Sequence, residues 1–349
     1  MFEVYIHVPF CMRRCGYCDF NTYTAVDMGE GASRGNYANM VIREMSIVRD
    51  WQIAHGIDEP EAATVFFGGG TPTILKASDL VAMLNAVRDT WGIAENAEIT
   101  TEANPDTVNA DYVKELANGG FNRISFGMQS AVPSVLKILD RTHTPANVAA
   151  GIAVANAVGM RSSVDLIYGA PGESLDDWRA SVRTAIDLGV NHISAYALTV
   201  APNTKMGRQI AAGTLPTPDD DDEATKYEIA DDLLSAAGLE WYEISNWARP
   251  GYESQHNLAT GAISTGPDLD RVRTATMAMC WMSNSPRRRK KPKQSKLRVC
   301  AAGISHIRAC GARLSTPAIC HGREANESPT RRTSKKSSCL VCAYVRALI

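Results

Sequence analysis

The chain has 349 residues, of which 45% are hydrophobic and 21% are charged, and its formal net charge is −2. This size and composition are typical of an ordinary globular protein with room for one large α/β domain and a smaller appendage. No apolar run approaches the length that spans a bilayer. The first residues lack the basic region and the long apolar core of a signal peptide. We therefore expect a cytoplasmic protein without stable membrane insertion.

The small net charge hides an uneven distribution. Residues 1–259 hold 18 Lys and Arg against 34 Asp and Glu, a balance of −16, whereas residues 260–349 hold 18 against 4, a balance of +14. Six of the nine cysteines also lie in the second stretch. Such an asymmetry is typical of a basic nucleic-acid-binding arm or of a separate domain.

Residues 1–200 alternate short β-branched stretches with longer segments of helical period. The predicted strands are Val4–Val8, Ala63–Phe67, Glu98–Thr101, Arg123–Phe126, Ser162–Ile167 and His192–Tyr196. The predicted helices are Tyr37–Ala54, Ala77–Trp91, Ala110–Asn118, Ala146–Val158 and Leu175–Leu188. This spacing predicts βαβ units with a parallel sheet. Six strands fit a partial (β/α)6 barrel with function at the C-terminal ends of its strands, and an open doubly wound sheet is the alternative.

A second region covers residues 201–259. The acidic stretch from Asp219 to Glu223 suits the N-terminal end of a helix, where the helix dipole favours negative charge, and Asp219 is a candidate N-cap. Leu239–Ile244 is predicted to form a further strand. Residues 1–200, 201–259 and 260–349 are therefore three candidate domains or segments.

Three cysteines lie close together directly after the first predicted strand, in Cys11-Met-Arg-Arg-Cys15-Gly-Tyr-Cys18. Zinc knuckles usually pair two Cys-x-x-Cys clusters, and residues 1–259 hold no second cluster. A disulfide framework is uncommon in cytoplasmic α/β proteins. Three clustered thiolates suit three irons of a cubane cluster and leave the fourth iron open to a ligand that is not protein.

Polar or flexible residues follow the next strands. Gly68-Gly69-Gly70-Thr71-Pro72 follows the second strand, where glycines allow a backbone to approach a ligand closely. Glu102, Gln129 and Asp165 lie at or within the third, fourth and fifth strands. Taken alone, the glycine run is typical of a tight turn, and each polar residue is typical of a strand-end cap. Together they point to one shared site at the rim of the sheet.

These phrases resemble the radical S-adenosylmethionine (SAM) family, and within it the branch of oxygen-independent coproporphyrinogen III oxidase and the HemW-type heme chaperones. The resemblance covers roughly residues 2–259 and is most specific in Tyr-Ile-His-Val-Pro-Phe-Cys, Phe-Gly-Gly-Gly-Thr-Pro-Thr, Arg-Ile-Ser-Phe-Gly-Met-Gln-Ser and Asp-Leu-Ile-Tyr-Gly-Ala-Pro-Gly. It implies that Cys11, Cys15 and Cys18 bind a 4Fe–4S cluster. The residues that it implies for SAM binding are Tyr5, Tyr17, Gly69, Gly70, Thr71, Glu102, Gln129, Arg141 and Asp165.

Two features favour the chaperone branch. The oxidase typically has a further cysteine two residues after the third cluster ligand, where this chain has Phe20. HemW-like proteins carry His-Asn-x-x-Tyr-Trp, which is taken to contribute to heme binding, and this chain has His256-Asn257-Leu258-Ala259. Imidazole is a common ligand of heme iron, although a lone histidine near a strand end is more often structural.

The family pattern ends at Ala259, and the basic segment that follows fits a shifted reading frame. One T restored before the codons of residues 260–276 permits Tyr-Trp-Arg-His-Leu-His-Trp-Pro-Gly-Leu-Gly-Pro-Gly-Ala-His-Ser-His, which completes His-Asn-x-x-Tyr-Trp and stays family-like over seventeen positions. The alternatives are a nucleic-acid-binding arm and half a metal site at Cys339-x-x-Cys342. We interpret residues 260–349 as frameshifted and expect them to be poorly ordered.

The resemblance implies a heme chaperone that binds a 4Fe–4S cluster, SAM and heme, receives electrons from a donor and passes heme to acceptor proteins. The first alternative is an enzyme, the oxidase, which oxidatively decarboxylates two propionates of coproporphyrinogen III. The second is a nucleic-acid-modifying radical-SAM enzyme, which depends on the basic tail alone. We expect no nucleic-acid partner.

Overall fold

The computed structural model describes residues 1–29, 33–262 and 273–277, with residues 260–262 and 273–277 described by their backbone alone. All of them belong to the first of two compact units, Met1–Gly303, and the second unit, Ile304–Ile349, lies outside the described residues. The strands are β1 (Phe2–Val8), β2 (Ala62–Gly69), β3 (Ile93–Ala103), β4 (Arg123–Gln129), β5 (Arg161–Tyr168), β6 (His192–Ala197), β7 (Glu240–Glu243), β8 (Asn246–Ala248) and β9 (Arg273–Met277).

The helices complete the alternating pattern. They are α1 (Tyr37–Ala54), α2 (Ala77–Trp91), α3 (Ala110–Asn118), α4 (Pro133–Ile138), α5 (Pro145–Ala157), α6 (Leu175–Asp187), α7 (Lys205–Ala211), α8 (Asp220–Ala236) and α9 (Gln255–Ala262). No helix in the described part of the chain is long and apolar enough to cross a bilayer.

The strands form one sheet in the order β7-β8-β6-β5-β4-β3-β2-β1-β9. Strands β1 to β6 are neighbours in chain order, and each neighbouring pair is parallel. Short β8 and β7 add antiparallel pairs beside β6, and β9 pairs in parallel with β1. The six predicted strands and the βαβ pattern are therefore confirmed. Because β7 and β9 are the two edges, the sheet is an open, partial barrel.

One face of the sheet is apolar and meets the helices. Alternate residues of β1, such as Val4 and Ile6, are fully buried in the same core cluster as Val41 and Met45 of α1. Side chains alternate between the two faces of a strand, so Val4, Ile6 and the other residues at alternate positions lie on the face that packs against the helices. Burial of such aliphatic side chains supplies most of the driving force for this layer, roughly 1.5–3 kcal/mol per side chain.

The opposite face of the sheet is polar. Parallel strands that are covered on both sides are normally apolar on both sides. Here the inner positions carry Glu3, Thr64, Thr100, Ser125 and Ser194, each of them buried. Glu3 pairs in register with Thr64, and Thr64 with Glu98, so the polar residues form rows across the strands. A polar concave face is expected where a sheet surrounds a polar ligand site.

Helix boundaries follow the sequence closely. The predicted bounds of α1, α2 and α3 are those observed, and α5 and α6 differ from prediction by one residue at one or both ends. Asp219 is the N-cap of α8, and its side chain accepts a hydrogen bond from the Asp222 backbone at 2.9 Å. The predicted strand Leu239–Ile244 is observed as β7.

Elements α4, α7, β8, α9 and β9 were not predicted, because elements of three to eight residues are too short to show a period. Residues 260–349, which we predict to be poorly ordered, lie almost entirely outside the described residues. Only the backbone of residues 260–262 at the end of α9 and of residues 273–277 in β9 belongs to the described part.

Candidate cofactor site

Cys11, Cys15 and Cys18 lie on the loop that leaves the C-terminal end of β1. The Cys18 amide donates to the Cys15 carbonyl at 3.2 Å, and the Cys11 amide donates to the Tyr23 carbonyl at 3.0 Å. Arg14 closes the loop from within, because its guanidinium donates to the carbonyls of Cys18 and Phe20 at 3.3 and 3.0 Å. The loop is therefore held by its own backbone, and the three thiols are partly buried.

Two polar side chains from later loops of the chain reach the cysteine sulfurs. The Thr71 hydroxyl donates to Cys11 Sγ at 3.7 Å, and the Arg141 guanidinium donates to Cys15 Sγ at 3.7 Å. Burial raises the pKa of the Cys11 thiol, and the Thr71 hydroxyl offsets part of that rise. Burial also raises the pKa of Cys18. Hydrogen bonds and a nearby cation stabilise thiolates, which are the form that binds iron.

The donor set fits an iron–sulfur cluster. The three cysteines are free thiols on one loop, and thiolate is the ligand that such clusters require. In the part of the chain that the structure describes, no three His, Cys, Asp or Glu side chains converge on a single metal position. The ligands of a cubane cluster bind separate irons, so they need not converge on one metal position.

The glycine loop after β2 lies directly against the cysteine loop. The Gly70 amide donates to the Val8 carbonyl at 2.8 Å, and the Thr71 amide donates to the Phe10 carbonyl at 2.8 Å. A Cβ on Gly70 would lie 2.7 Å from the Phe10 carbonyl oxygen and 3.1 Å from Cys11 Sγ. Gly69 has a φ of +109°, which favours glycine. Glycine is thus required for the two loops to meet.

Glu102 and Asp165 form a half-buried acidic pair beneath these loops. Glu102 accepts a hydrogen bond from the Gly69 amide at 3.0 Å, and Asp165 accepts one from the Ser125 hydroxyl at 3.0 Å. Burial, and then the neighbouring Asp165, raise the pKa of Glu102 to about 8. Burial also raises the pKa of Asp165, against the effect of the Ser194 and Ser125 hydroxyls. The pair suits a ligand that brings hydroxyl or ammonium donors.

Gln129 and Arg141 meet at the end of β4. The pairing of β4 with β5 shifts register between Gly127 and Gln129, and Gln129 has a φ of 62°, which is uncommon for a residue with a side chain. Arg141 donates to the Gly127 carbonyl at 2.9 Å. A Cβ on Gly127 would lie 2.7 Å from Gln129 Nε2. The bulge therefore turns the Gln129 side chain toward Arg141, at the same end of the sheet as the cysteines.

Tyr17 faces a small apolar cluster. It packs against a group that includes Leu139, Leu198 and Met206, which joins the cysteine loop to α4 and α7. Burial, and then Cys15, raise the pKa of the Tyr17 hydroxyl. Tyr17 thus fixes the loop through packing, and its predicted contact with SAM stays a prediction.

Tyr5 stacks with His256 on the concave face, and its hydroxyl lies 3.3 Å from His7 Nδ1 and 3.1 Å from the Cβ position of Gly68, toward the glycine loop. The His256 ring stacks on Phe66 and Tyr5, with ring centroids 4.9 and 6.4 Å apart. Its Nδ1 lies 2.7 Å from the Thr64 hydroxyl and 3.6 Å from the Glu3 carboxylate. Burial, and then Arg123, lower the pKa of His256 to about 4. The imidazole is therefore neutral at physiological pH.

His256 lies toward the other end of β1 from the cysteines. Glu3 is near the start of the strand, whereas the cysteine loop follows Val8. A strand rises about 3.3 Å per residue, so these two ends are about 16 Å apart. The structure thus groups the cysteines with Gly69, Gly70, Thr71, Glu102, Gln129, Arg141 and Asp165, and does not bring His256 to them.

The family model described as the radical SAM superfamily matches residues 5–185. The chain belongs to the radical SAM superfamily. Its α/β fold is also that of coproporphyrinogen III oxidase (HemN) from Escherichia coli, described as a radical SAM enzyme. The TM-score is 0.66 at 21% identity, and the match covers 79% of this chain and 63% of that one. At this identity the likeness establishes the fold alone.

The relatives that the chain is similar to include proteins named heme chaperone HemW. The chain is 46% identical over 258 residues to the protein of Mycobacterium tuberculosis strain H37Rv, covering 74% of this chain and 65% of that one. It is 39% identical over 257 residues to the Escherichia coli K12 protein, covering 73% and 65%. It is 36% identical over 262 residues to the Bacillus subtilis protein, covering 74% and 66%. The chain thus spans about 65% of the length of these relatives.

The candidate site contains further residues that were not predicted from the sequence. Ser125 and Ser194 donate hydrogen bonds to Asp165, and burial, followed by the nearby Asp165 carboxylate, raises the pKa of the Tyr196 phenol. Asp140, with a φ of 54°, binds Arg13 of the cysteine loop at 3.0 Å. The alternation of polar residues along β4, β5 and β6 could have indicated Ser125, Ser194 and Tyr196 from the sequence. Nothing local marked Asp140.

Proposed function

We propose that this chain is a radical SAM protein of the heme-chaperone type, which binds a 4Fe–4S cluster, SAM and heme and passes heme to acceptor proteins. The observation that carries the proposal is the meeting of the three-cysteine loop with Gly70, Thr71 and Arg141 from two later parts of the chain. The similarity to three proteins named heme chaperone HemW supports the choice of branch.

Each residue of the site has a part in holding the cofactors. A 4Fe–4S cluster on Cys11, Cys15 and Cys18 would supply an open iron for SAM and the electron that cleaves it. Arg141 places a positive charge between Cys15 and the bulge of β4, where a carboxylate of a ligand would be stabilised. Gly69 and Gly70 give a ligand access to backbone groups.

The acidic pair sets the polarity of the remaining pocket. The raised pKa of Glu102 means that this carboxyl holds its proton near neutral pH until a donor from a ligand approaches. Asp165 and the two serines beside it offer further acceptors. A ribose or an ammonium group would satisfy these acceptors, and SAM carries both.

Heme binding rests on His256 and on the HemW names of the relatives. A metal-binding histidine usually donates its second ring nitrogen to an oxygen, which fixes the ring. Thr64 and Glu3 are such partners for Nδ1, so Nε2 is the nitrogen that we assign to iron. Because the chain spans only part of its relatives, heme transfer, the acceptors and the electron donor are all part of the proposal. We also infer a cytoplasmic location, where free thiols persist.

The alternative function is that of an oxygen-independent coproporphyrinogen III oxidase, which the solved structural relative represents. Phe20 argues against it, because an exposed phenylalanine stands where the oxidase branch carries a thiol. A nucleic-acid-modifying enzyme would depend on the basic segment 260–349, and no contact of the described residues favours it.

Anaerobic reconstitution of the chain in a corrected, full-length frame separates these functions. We expect about four irons, SAM binding, stoichiometric heme binding and no conversion of coproporphyrinogen III under reducing, SAM-replete conditions. Robust turnover of coproporphyrinogen III would instead establish the oxidase. The matched control is the Cys15→Ala variant, which should lose the cluster but retain the fold.

A further inference from the structure

Arg123, the first residue of β4, is a buried cation on the polar face of the sheet. Its side chain is 4% exposed, and its Nη2 atom donates a hydrogen bond to the Ser163 hydroxyl at 3.1 Å. Its Nε atom lies 3.9 Å from the Glu98 carboxylate, which also accepts a hydrogen bond from Arg161 at 3.2 Å. None of the proposed cofactor contacts uses Arg123. Burial of a charge is unfavourable unless the charge is paired and hydrogen-bonded, so the partners of Arg123 indicate its role.

Two serine hydroxyls connect Arg123 to the acidic pair. The Ser163 hydroxyl lies 2.8 Å from the Ser125 hydroxyl, which lies 3.0 Å from Oδ2 of Asp165. Both serines are buried, and they pair in register on β4 and β5. The sheet therefore builds a continuous hydrogen-bonded chain from Arg123 through Ser163 and Ser125 to Asp165.

The chemistry of these groups fixes the direction of the chain. A guanidinium has only donors, and a serine hydroxyl has one hydrogen to donate. Ser163 therefore accepts from Arg123 and donates to Ser125, and Ser125 donates to Asp165. If Oδ2 of Asp165 carried a proton, the chain would reverse, and the hydroxyl hydrogen of Ser163 would point at a guanidinium that cannot accept it. A buried donor without an acceptor is unfavourable, so Oδ2 of Asp165 is held as an acceptor.

The two carboxyls of the pair receive unequal help from their surroundings. Burial raises the pKa of Asp165, and the Ser194 and Ser125 hydroxyls, followed by two guanidinium groups, oppose that rise. Burial, and then the Asp165 charge, raise the pKa of Glu102 to about 8. The titratable, charged and hydroxyl groups that face Asp165 from other elements are Glu102 of β3, Arg123 and Ser125 of β4, Ser194 and Tyr196 of β6, and Arg141 after α4.

We propose that Arg123 is a positioning residue that acts through the two serines to keep Asp165 ionised. The one proton of the acidic pair then resides on Glu102. The inference rests on the proposed SAM site, because it states how the two carboxyls of that site differ. A ligand meets an acceptor at Asp165 and a donor at Glu102. A ligand hydroxyl, which donates and accepts, can satisfy both carboxyls at once, whereas an ammonium group only donates.

Infrared spectroscopy of the full chain without cofactors tests where the proton lies. A protonated carboxyl has a carbonyl band that an ionised carboxyl lacks, and aspartate labelled with carbon-13 at its carboxyl is distinguished from glutamate by a shift of that band. Subtraction of the Asp165→Asn spectrum isolates Asp165, and subtraction of the Glu102→Gln spectrum isolates Glu102. The bands are followed as a function of pH.

The variants interrupt or preserve the chain. Ser163→Ala removes its first hydroxyl, and Arg123→Gln replaces the donor-only cation by a neutral amide that can also accept. In Arg123→Gln the buried Glu98 keeps its bond to Arg161. Arg123→Lys keeps a donor-only cation. Ser162→Ala is the matched control, because Ser162 is also buried on β5 but donates to Asn156, outside the chain.

In the parent at pH 7 we expect a protonated band of Glu102 and none of Asp165. Ser163→Ala and Arg123→Gln should raise the midpoint of Asp165 protonation by about one pH unit, because loss of a donor or of a cation favours the protonated form. Arg123→Lys and Ser162→Ala should leave the midpoint unchanged. Equal midpoints in the parent, Ser163→Ala and Arg123→Gln, each shown to be folded by circular dichroism, would overturn the inference. A SAM titration of the reconstituted parent tests the proposed function separately, since absence of SAM binding beside shifted midpoints would overturn the SAM site and support the role of Arg123.

Discussion

The Nδ1 atom of His256 lies 2.7 Å from the hydroxyl of Thr64, inside the concave face of the sheet. The imidazole is stacked on Phe66, and the side chain is only 12% exposed. The histidine that the sequence singles out for heme thus also joins α9 to β2. A heme role and a structural role for this residue give different results in mutants.

Replacement of His256 by alanine tests the two roles together. In the full-length frame we expect His256→Ala to weaken heme binding at least tenfold while iron content stays unchanged, because the cysteine loop lies at the other end of β1. The stability loss should be about 1–3 kcal/mol, since Thr64 and the stacked rings lose a partner. Heme titration and chemical unfolding measure the two effects.

Phe66→Leu is the control for the structural role, because it removes the stacking but keeps the imidazole. It should destabilise the protein and leave heme affinity within a few fold of the parent. If His256→Ala loses stability and retains full heme affinity, the histidine is a structural residue and heme binds elsewhere.

The acidic pair predicts how stability depends on pH. In the folded chain the Glu102 carboxyl has a pKa of about 8, against an ordinary value of 4.5. Between these values the folded state binds more protons than the unfolded state, so stability falls as pH rises through this window. We expect the stability of Glu102→Gln to fall less between these pH values, because the amide resembles the protonated acid and does not titrate. Thermal midpoints of the cofactor-free protein at pH 5 and pH 8.5 measure this, and parallel curves for parent and variant would contradict it.

The contact between the glycine loop and the cysteine loop predicts a steric effect on cluster assembly. Gly70→Ala places a methyl group 2.7 Å from the Phe10 carbonyl and 3.1 Å from Cys11 Sγ. We expect reconstituted iron to fall by at least half, because the two loops must move apart. Gly35→Ala is the control, since nothing lies within 4 Å of its new Cβ. Equal iron content in the two variants would show that the loops adjust.

The basic segment after Ala259 has a genetic test. Resequencing of the locus should show one nucleotide missing near codon 260, relative to a frame that encodes Tyr-Trp-Arg. The matches to the HemW relatives extend over 257 to 262 residues, a length close to that of the segment before residue 260. Should closely related strains encode the same basic segment, the frameshift interpretation fails and a nucleic-acid-binding arm becomes the favoured reading. Binding to RNA or DNA would then weaken steeply with added salt.

The sequence predicted the repeating part of this fold well, because period and burial act locally. The bounds of α1, α2 and α3 could be derived from helical periodicity, and the strand ends that carry Glu102 and Asp165 from β-branched runs. The contacts between side chains within the site could not be predicted from the sequence. Arg141 meets Cys15 across 126 positions, and Asp140 binds Lys205 across 65, so only the packed sheet brings them together.

The sequence also did not show which of the predicted site residues lie near the cysteines and which lie near His256. Tyr5 and Cys11 are six positions apart in sequence, yet Tyr5 stacks with His256 on the concave face while Cys11 leaves the end of the strand. Residues at alternate positions of a strand lie on the same face of the sheet but at different distances from its C-terminal end. Which residues of neighbouring strands lie beside them depends on the register between the strands. Register between parallel strands is set by the connecting helices, which a local pattern does not specify.

We propose Cys11, Cys15 and Cys18 as the protein ligands of a 4Fe–4S cluster. The most direct test of this proposal is iron and sulfide content, with electron paramagnetic resonance of the reduced protein, after anaerobic reconstitution of the parent and of single alanine variants. We expect about four irons and a cubane signal that SAM perturbs in the parent. The signal should be lost in each of the three variants and retained in Cys300→Ala, Cys310→Ala and Cys320→Ala. A cluster that survives Cys15→Ala but requires Cys300, Cys310 or Cys320 would contradict the proposal.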